Sequence, residues 1–191
     1  MLRPLFDSFR SYSSAQCKCF FFFDSDEVTF KRKFILRKIR PMGSYTQIFY
    51  QVVFRTKNNV PAMLKPSRQT LYEYMAGILK NKNCFCYQIG GVEDHLHLVF
   101  SLHPTVALAD LVKDLKIASN KMIKETKIFP LFSSWADKYS AFTYAFEAKD
   151  QLINYVKNQE AHHAKKNLAD ELRELYKEHG IELDERYFMK D

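Results

Sequence analysis

The chain has 191 residues, of which 47% are hydrophobic and 15% aromatic, a composition that excludes a wholly disordered protein. This length predicts one compact domain with some extension, and the sequence contains no apolar stretch long enough to predict a membrane span. The net charge of +7 is compatible with a polyanionic partner. Residues 1–41 carry 9 Lys and Arg against 4 Asp and Glu, so most of the basic excess lies in that segment.

Residues 1–41 differ from the rest in having Ser-rich and Phe-rich patches followed by the basic runs Lys31-Arg32-Lys33 and Arg37-Lys38-Ile39-Arg40. They are either a basic arm that binds nucleic acid or upstream sequence read in frame before a natural start at Met42. We favour the second interpretation. Residues 42–166 are then the predicted main domain, and residues 167–191 a charged C-terminal helix and tail.

From residue 45 onward, strand and helix patterns alternate. In chain order, the predicted elements are a strand at 45–54, a helix at 67–82, strands at 84–89 and 92–102, a helix from about 106 to 127, a strand at 142–146, and helices at 149–163 and 167–179. Ser67 is the predicted cap of the first helix, and Gly90-Gly91 the predicted tight turn between the second and third strands. This β-α-β-β-α-β order predicts an α+β, ferredoxin-like split β-α-β fold. Its antiparallel sheet has two helices on one face and is followed by C-terminal helices.

His95-Leu96-His97 lies on the predicted third strand. Side chains at i and i+2 of a strand project from the same face, so the two imidazoles lie together. Such a pair can chelate a metal ion and leave open positions for water and substrate, as a catalytic site requires. The alternative, two structural histidines without a ligand, stays open at this stage.

Tyr155 and Gln159 are four residues apart on a predicted helix and therefore share a face. The Gln159 amide oxygen is a ligand suited to Mg²⁺ or Mn²⁺, and Glu160, His162 and His163 add further potential ligands. A phenol with a pKa near ~10 becomes a nucleophile only beside a cation or a base. Its attack on a phosphodiester would leave a phosphotyrosine link whose energy allows strand joining. Alternatively, Tyr155 is an ordinary aromatic of an amphipathic helix.

Three segments together resemble a known family: Gly90-Gly91-Val92-Glu93-Asp94, then His95-Leu96-His97, then Tyr155-Val156-Lys157-Asn158-Gln159. They are similar to the single-tyrosine HUH transposases of small bacterial insertion sequences, the IS200-like family, including the relatives that act on repetitive extragenic palindromes. The resemblance covers about residues 43–165. It implies a cytoplasmic, homodimeric DNA transposase and endonuclease that cuts and rejoins single-stranded DNA at hairpin-bearing ends. Tyr155 would be the nucleophile, and His95, His97 and Gln159 the ligands of Mg²⁺ or Mn²⁺.

Polar and basic side chains recur at three- and four-residue steps along the second predicted helix and are candidates for phosphate contacts. They are Lys113, Lys116, Asn120, Lys124 and Lys127. A solvated helix face is the alternative explanation of this stripe.

Two rival functions remain beside the strand transferase. One is a non-catalytic nucleic-acid-binding module, a domesticated or decayed transposase on the same fold. The other is a metal-dependent hydrolase that uses metal-bound water, with Tyr155 only structural. The complete set of His95, His97, Tyr155 and Gln159 favours the strand transferase.

Overall fold

The computed structural model of the protein describes residues 46–164 and 166–191, so both interpretations of residues 1–41 fall outside the described residues. The elements are β1 (Phe49–Arg55), α1 (Lys65–Asn81), β2 (Phe85–Gly91), β3 (His95–Ser101), α2 (Leu108–Thr126), β4 (Ser140–Thr143), α3 (Lys149–Lys157), α4 (Gln159–His163) and α5 (Leu168–Glu178), with short 3₁₀ helices at Lys57–Asn59 and Phe146–Ala148. The sheet order is β2-β3-β1-β4, and every neighbouring pair is antiparallel. The predicted α+β ferredoxin-like arrangement is confirmed.

The two faces of β3 have different partners because successive strand residues alternate in direction. Leu96, Leu98 and Phe100 face α1 and α2 and belong to the largest hydrophobic core of the described residues. Each fully buried side chain of this size contributes about 1.5–3 kcal/mol through loss of apolar surface from water. His95 and His97 alternate with these residues and therefore project from the second face of the sheet.

The second face is covered by α3 and α5. Leu168, Leu172 and Leu175 of α5 pack against Val53 and Phe142 of the sheet. They recur at the spacing of one helix face, which explains why this otherwise charged segment docks. The side-chain oxygen of Asn167 accepts a hydrogen bond from the Asp170 amide at 2.9 Å and caps the helix start.

Three local predictions are wrong. Ser67 is not a cap, because α1 already begins at Lys65, with no side-chain capping bond and a proline in its first turn. Gly90-Gly91 is not a turn, since both glycines lie in β2 and the chain reverses after them. The helix predicted at 149–163 is interrupted at Asn158, where φ is −95° and ψ is 21°, and so forms α3 and α4.

The boundaries of the other predicted elements shift by a few residues. The fourth strand, for example, occupies Ser140–Thr143 rather than 142–146. Such offsets are normal, because terminal residues depend on packing more than on pattern. None of the described helices is long and apolar enough to cross a bilayer.

Candidate active site

The two histidines of β3 are fully buried on the second face of the sheet. His95 and His97 are each 0% exposed, and their ring centroids lie 5.2 Å apart. The Nε2 atom of each ring is buried without a hydrogen-bond partner. Buried polar atoms almost always have a partner, so two such nitrogens on one strand indicate a ligand-binding site.

The other nitrogen of each ring is held by a neighbouring polar side chain. Nδ1 of His95 lies 2.6 Å from Oδ1 of Asp94, and Nδ1 of His97 is hydrogen-bonded to the Gln51 amide at 2.9 Å. Burial alone would raise the pKa of Asp94, but the hydrogen bond from His95 outweighs it and lowers that pKa. An Nδ1–H that donates to a carboxylate leaves the lone pair on Nε2, the arrangement typical of metal-binding histidines. Asp94 thus prepares His95 to bind a metal ion.

Tyr155 and Gln159 approach the histidine pair within the same chain. The ring centroids of Tyr155 and His97 are 6.0 Å apart. Gln159 is buried, its Nε2 donates to Oε1 of Glu171 at 3.1 Å, and its own Oε1 has no partner. The Tyr155 hydroxyl donates to the same carboxylate oxygen of Glu171. The structure therefore brings together all four residues that the sequence analysis singled out as nucleophile and metal ligands.

Two contacts fix the position of α3 and α4 over the sheet. A side-chain Cβ at Gly90 would lie 2.2 Å from the carbonyl oxygen of Val156, so only glycine allows α3 to come this close. Gly90 is also the register partner of His97. The buried guanidinium of Arg68 donates to the Gly91 carbonyl at 2.7 Å and pairs with Glu160 of α4 at 3.2 Å. Gly90 and Arg68 thus determine the distance between the Tyr155 helix and the histidine strand.

Glu171 of α5 lies at the centre of the cluster, and sequence reasoning missed it. Its carboxylate accepts a hydrogen bond from Nε2 of His163 at 2.8 Å, and its oxygens lie 3.6 and 3.4 Å from the free nitrogens of His95 and His97. The ligand atoms of these four residues all lie within 4.8 Å of one another. A usable signal was present, since Glu171 interrupts the leucine face of α5 and is only 2% exposed. A carboxylate on the buried face of an amphipathic helix is rarely without a polar or charged partner.

The electrostatics of the cluster are dominated by this carboxylate. Burial opposes ionisation of Glu171, but the hydrogen bond from His163 and the nearby His97 imidazole outweigh it and hold the pKa well below its usual range. Burial and the Glu171 charge raise the pKa of the Tyr155 phenol far above normal. Burial lowers the pKa of His97, an effect that Glu171 only partly opposes. Burial therefore favours the neutral form of the His97 imidazole, and a divalent metal ion fits the donor set.

The predicted DNA-contact stripe of α2 lies on the opposite face of the sheet from the histidines. Its lysines Lys113, Lys124 and Lys127 are exposed. Lys116 differs from them, because its ammonium donates to three backbone carbonyls at 2.9–3.0 Å, those of residues 136–138. Asn120 is half-buried, and its side-chain oxygen has no partner. The stripe therefore contains three exposed lysines that can contact phosphate and one lysine whose ammonium group already donates its hydrogen bonds within the protein.

Residues 44–159, more than half of the chain, match the family model described as Transposase IS200 like. The chain belongs to the IS200-like transposase family. Members of this family process DNA, and the resemblance found in the sequence is confirmed. The matched residues of this IS200-like transposase include His95, His97, Tyr155 and Gln159, whereas His163 and Glu171 lie beyond them.

Two solved structures are similar to this IS200-like transposase. One is a proposed transposase from Deinococcus radiodurans R1, with 20% identity and a TM-score of 0.49 over 63% of this chain and 98% of that chain. The other is a REP-associated tyrosine transposase bound to a REP hairpin, with 11% identity and a TM-score of 0.49 over 64% of this chain and 74% of that chain. A search of curated proteins gives no match.

Proposed function

We propose that this IS200-like transposase cuts and rejoins single-stranded DNA at hairpin-bearing ends through a covalent 5′-phosphotyrosine link to Tyr155. Mg²⁺ or Mn²⁺ would be held by His95, His97 and Gln159. The observation that carries the proposal is the meeting, in one buried cluster, of the Tyr155 hydroxyl with two imidazole nitrogens that lack partners. The proposal also includes the predicted homodimer and its action in the cytoplasm.

In the proposed step, the Tyr155 oxygen attacks the scissile phosphorus and forms a new phosphorus–oxygen bond. The bond from phosphorus to the 3′-oxygen breaks, and the departing 3′-oxygen takes up a proton from water. The phenol proton is released to water, while Oε1 of Glu171, which accepts the hydrogen bond from Tyr155, orients the hydroxyl. Attack of a 3′-hydroxyl on the phosphotyrosine reverses these changes and joins two strands.

The charges around Tyr155 explain why such a site needs a cation. Because burial and the negative Glu171 raise the pKa of the phenol, the phenolate is strongly disfavoured unless a cation lies beside it. A divalent ion bound at the free histidine nitrogens would polarise the scissile phosphate and offset negative charge in the transition state. Asp94 and Gln51 support this role by holding both rings with the Nε2 atoms towards Glu171.

The test uses labelled, hairpin-flanked single-stranded DNA with Mn²⁺, followed by denaturing electrophoresis. Wild type forms a denaturation-resistant adduct, and Tyr155→Phe forms none because the nucleophilic oxygen is gone. The matched control is Tyr187→Phe, which removes the hydroxyl of an exposed tyrosine that makes none of the contacts of the cluster and keeps the adduct. No adduct in wild type favours the non-catalytic module. Cutting that persists in Tyr155→Phe favours a hydrolase that uses metal-bound water.

His97→Ala separates binding from chemistry. We expect it to bind the same DNA with unchanged affinity in a fluorescence anisotropy titration, because the predicted phosphate contacts lie on the opposite face of the sheet. Cutting falls by at least about a hundredfold, since a metal ligand is lost. Equal loss of binding and cutting would instead mean that the histidines have a structural role.

A further inference from the structure

Glu171 occupies the centre of the candidate site although it belongs to α5, beyond the residues that match the family model. We propose that Glu171 is itself a ligand of the divalent metal and adds an anionic oxygen to the set of His95, His97 and Gln159. The inference rests on the proposed function, because it concerns the same metal ion. It makes the C-terminal helix a part of the active site.

The distances between the side chains are those of ligands that share one ion. Metal–ligand bonds of about 2.1 Å place neighbouring ligand atoms roughly 3.0 Å apart in an octahedral site and 3.4 Å apart in a tetrahedral one. The Glu171 oxygens lie 3.4 and 3.6 Å from Nε2 of His97 and His95. Neither nitrogen makes a hydrogen bond to the carboxylate at that separation. These separations are therefore compatible with one ion bound to all three side chains.

Among the described residues, no lysine or arginine side chain is recorded in contact with the Glu171 carboxylate. Three imidazoles, a phenol and an amide contact the carboxylate, and none of these groups carries a permanent positive charge. A carboxylate that is 2% exposed loses nearly all of its hydration, which is costly unless a cation replaces it. Mg²⁺ and Mn²⁺ prefer oxygen ligands with negative charge over neutral amides. Glu171 is therefore a stronger ligand for these ions than Gln159 is.

The packing of α5 holds the carboxylate at this position. Leu168 and Leu172 flank Glu171 on the buried face of the helix and dock on Val53 and Phe142 of the sheet. The capping bond from Asn167 fixes the start of the helix. A ligand held by packed neighbours binds without first losing conformational freedom, as a prearranged metal site requires.

The experiment titrates Mn²⁺ alone, without DNA, into the full chain and measures the free ion by electron paramagnetic resonance. We expect Glu171→Gln to weaken Mn²⁺ binding by about tenfold or more, because it replaces an anionic oxygen with a neutral amide of the same shape. Glu174→Gln is the matched control, as it removes the same charge from an exposed position of the same helix. It should bind Mn²⁺ within about twofold of wild type. Gln159→Ala should lose less affinity than Glu171→Gln.

A second measurement uses only the wild-type protein, so it does not depend on whether a variant folds. If Glu171 binds the ion, local unfolding of α5 removes one ligand from the bound metal and becomes less favourable. Saturating Mn²⁺ then slows amide hydrogen exchange in α5 of the wild-type protein by about tenfold or more. Unchanged exchange in α5 at saturating Mn²⁺ overturns the inference. Wild-type Mn²⁺ affinity in Glu171→Gln overturns it too. Faster DNA cutting by that variant would add that the carboxylate of the wild-type protein competes with the DNA phosphate.

Two outcomes distinguish this inference from the proposed function. If His97→Ala loses Mn²⁺ binding while Glu171→Gln keeps it, only the inference on Glu171 fails. If His97→Ala binds Mn²⁺ as wild type does, the metal site of the proposed function is wrong as well.

Discussion

Gly90→Ala tests whether the spacing between α3 and the sheet controls the chemistry. The added Cβ would lie 2.2 Å from the Val156 carbonyl oxygen, and ordinary contact begins at 3.4 Å. Helix and strand must therefore separate by about 1.2 Å. Because the obstacle is backbone, no side-chain rotation relieves it, and we expect the variant to lose about 1–3 kcal/mol of unfolding free energy. Tyr155 precedes Val156 and moves away from the histidines with it.

A displacement of about 1 Å at a reacting atom lowers the rate by roughly a hundredfold. The rate of adduct formation, measured at a temperature where the variant is fully folded, should fall to that extent. Urea unfolding measures the stability loss separately. The matched control is Gly77→Ala in α1, where a Cβ meets nothing within 4 Å. That change should stabilise the protein by about 0.5–1 kcal/mol, as expected for alanine in a helix interior, and leave the rate unchanged.

Two results would refute this reasoning about Gly90. Wild-type stability in Gly90→Ala would mean that α3 does not pack as closely as the structure has it. Lower stability with an unchanged rate of adduct formation would mean that the reaction does not depend on the distance between Tyr155 and the histidine strand.

Two further predictions concern the core and the DNA-contact stripe. Burial raises the pKa of Cys86 from 9.0 to about 12, so the unfolded chain loses the thiol proton first as pH rises. The free energy of unfolding should fall between pH 9 and 12, by up to about 1.4 kcal/mol per pH unit from this group. Urea unfolding of Cys86→Ala across that range should lack this contribution, and parallel curves would contradict it. Lys113→Gln should weaken DNA binding and reduce the salt dependence by about one phosphate contact. The control Lys121→Gln lies off the stripe on the same helix, and equal effects of the two variants would contradict a specific stripe.

Sequence patterns that lie within a single strand or helix predicted the fold and the placement of the histidine pair well. Alternation along β3 put Leu96 and Leu98 on one face and His95 and His97 on the other, and the structure confirms that division. This succeeds because the direction of a side chain along a strand depends only on its position.

Features that depend on distant contacts were missed. A Gly-Gly pair is typical of turns, but Gly90 is required here by the backbone of α3, more than sixty residues further along the chain. Glu171 enters the site only because α5 docks on the sheet. At the break after α3, both the backbone N–H and the side-chain amide of Asn158 donate to the Asn154 carbonyl, at 3.1 and 2.9 Å. The roles of Tyr155 and of the metal ligands stay predictions.

The separation along the chain between the histidine strand and α5 sets the order in which the cluster is assembled during synthesis. The β2–β3 hairpin joins neighbouring residues and can form early, whereas docking of α5 on Val53 closes a long loop and is slow by comparison. While translation proceeds, both imidazoles lack the Glu171 carboxylate until α5 has left the ribosome and folded against the sheet. The carboxylate arrives last, so a newly made chain gains its complete set of side chains only after the sheet is finished.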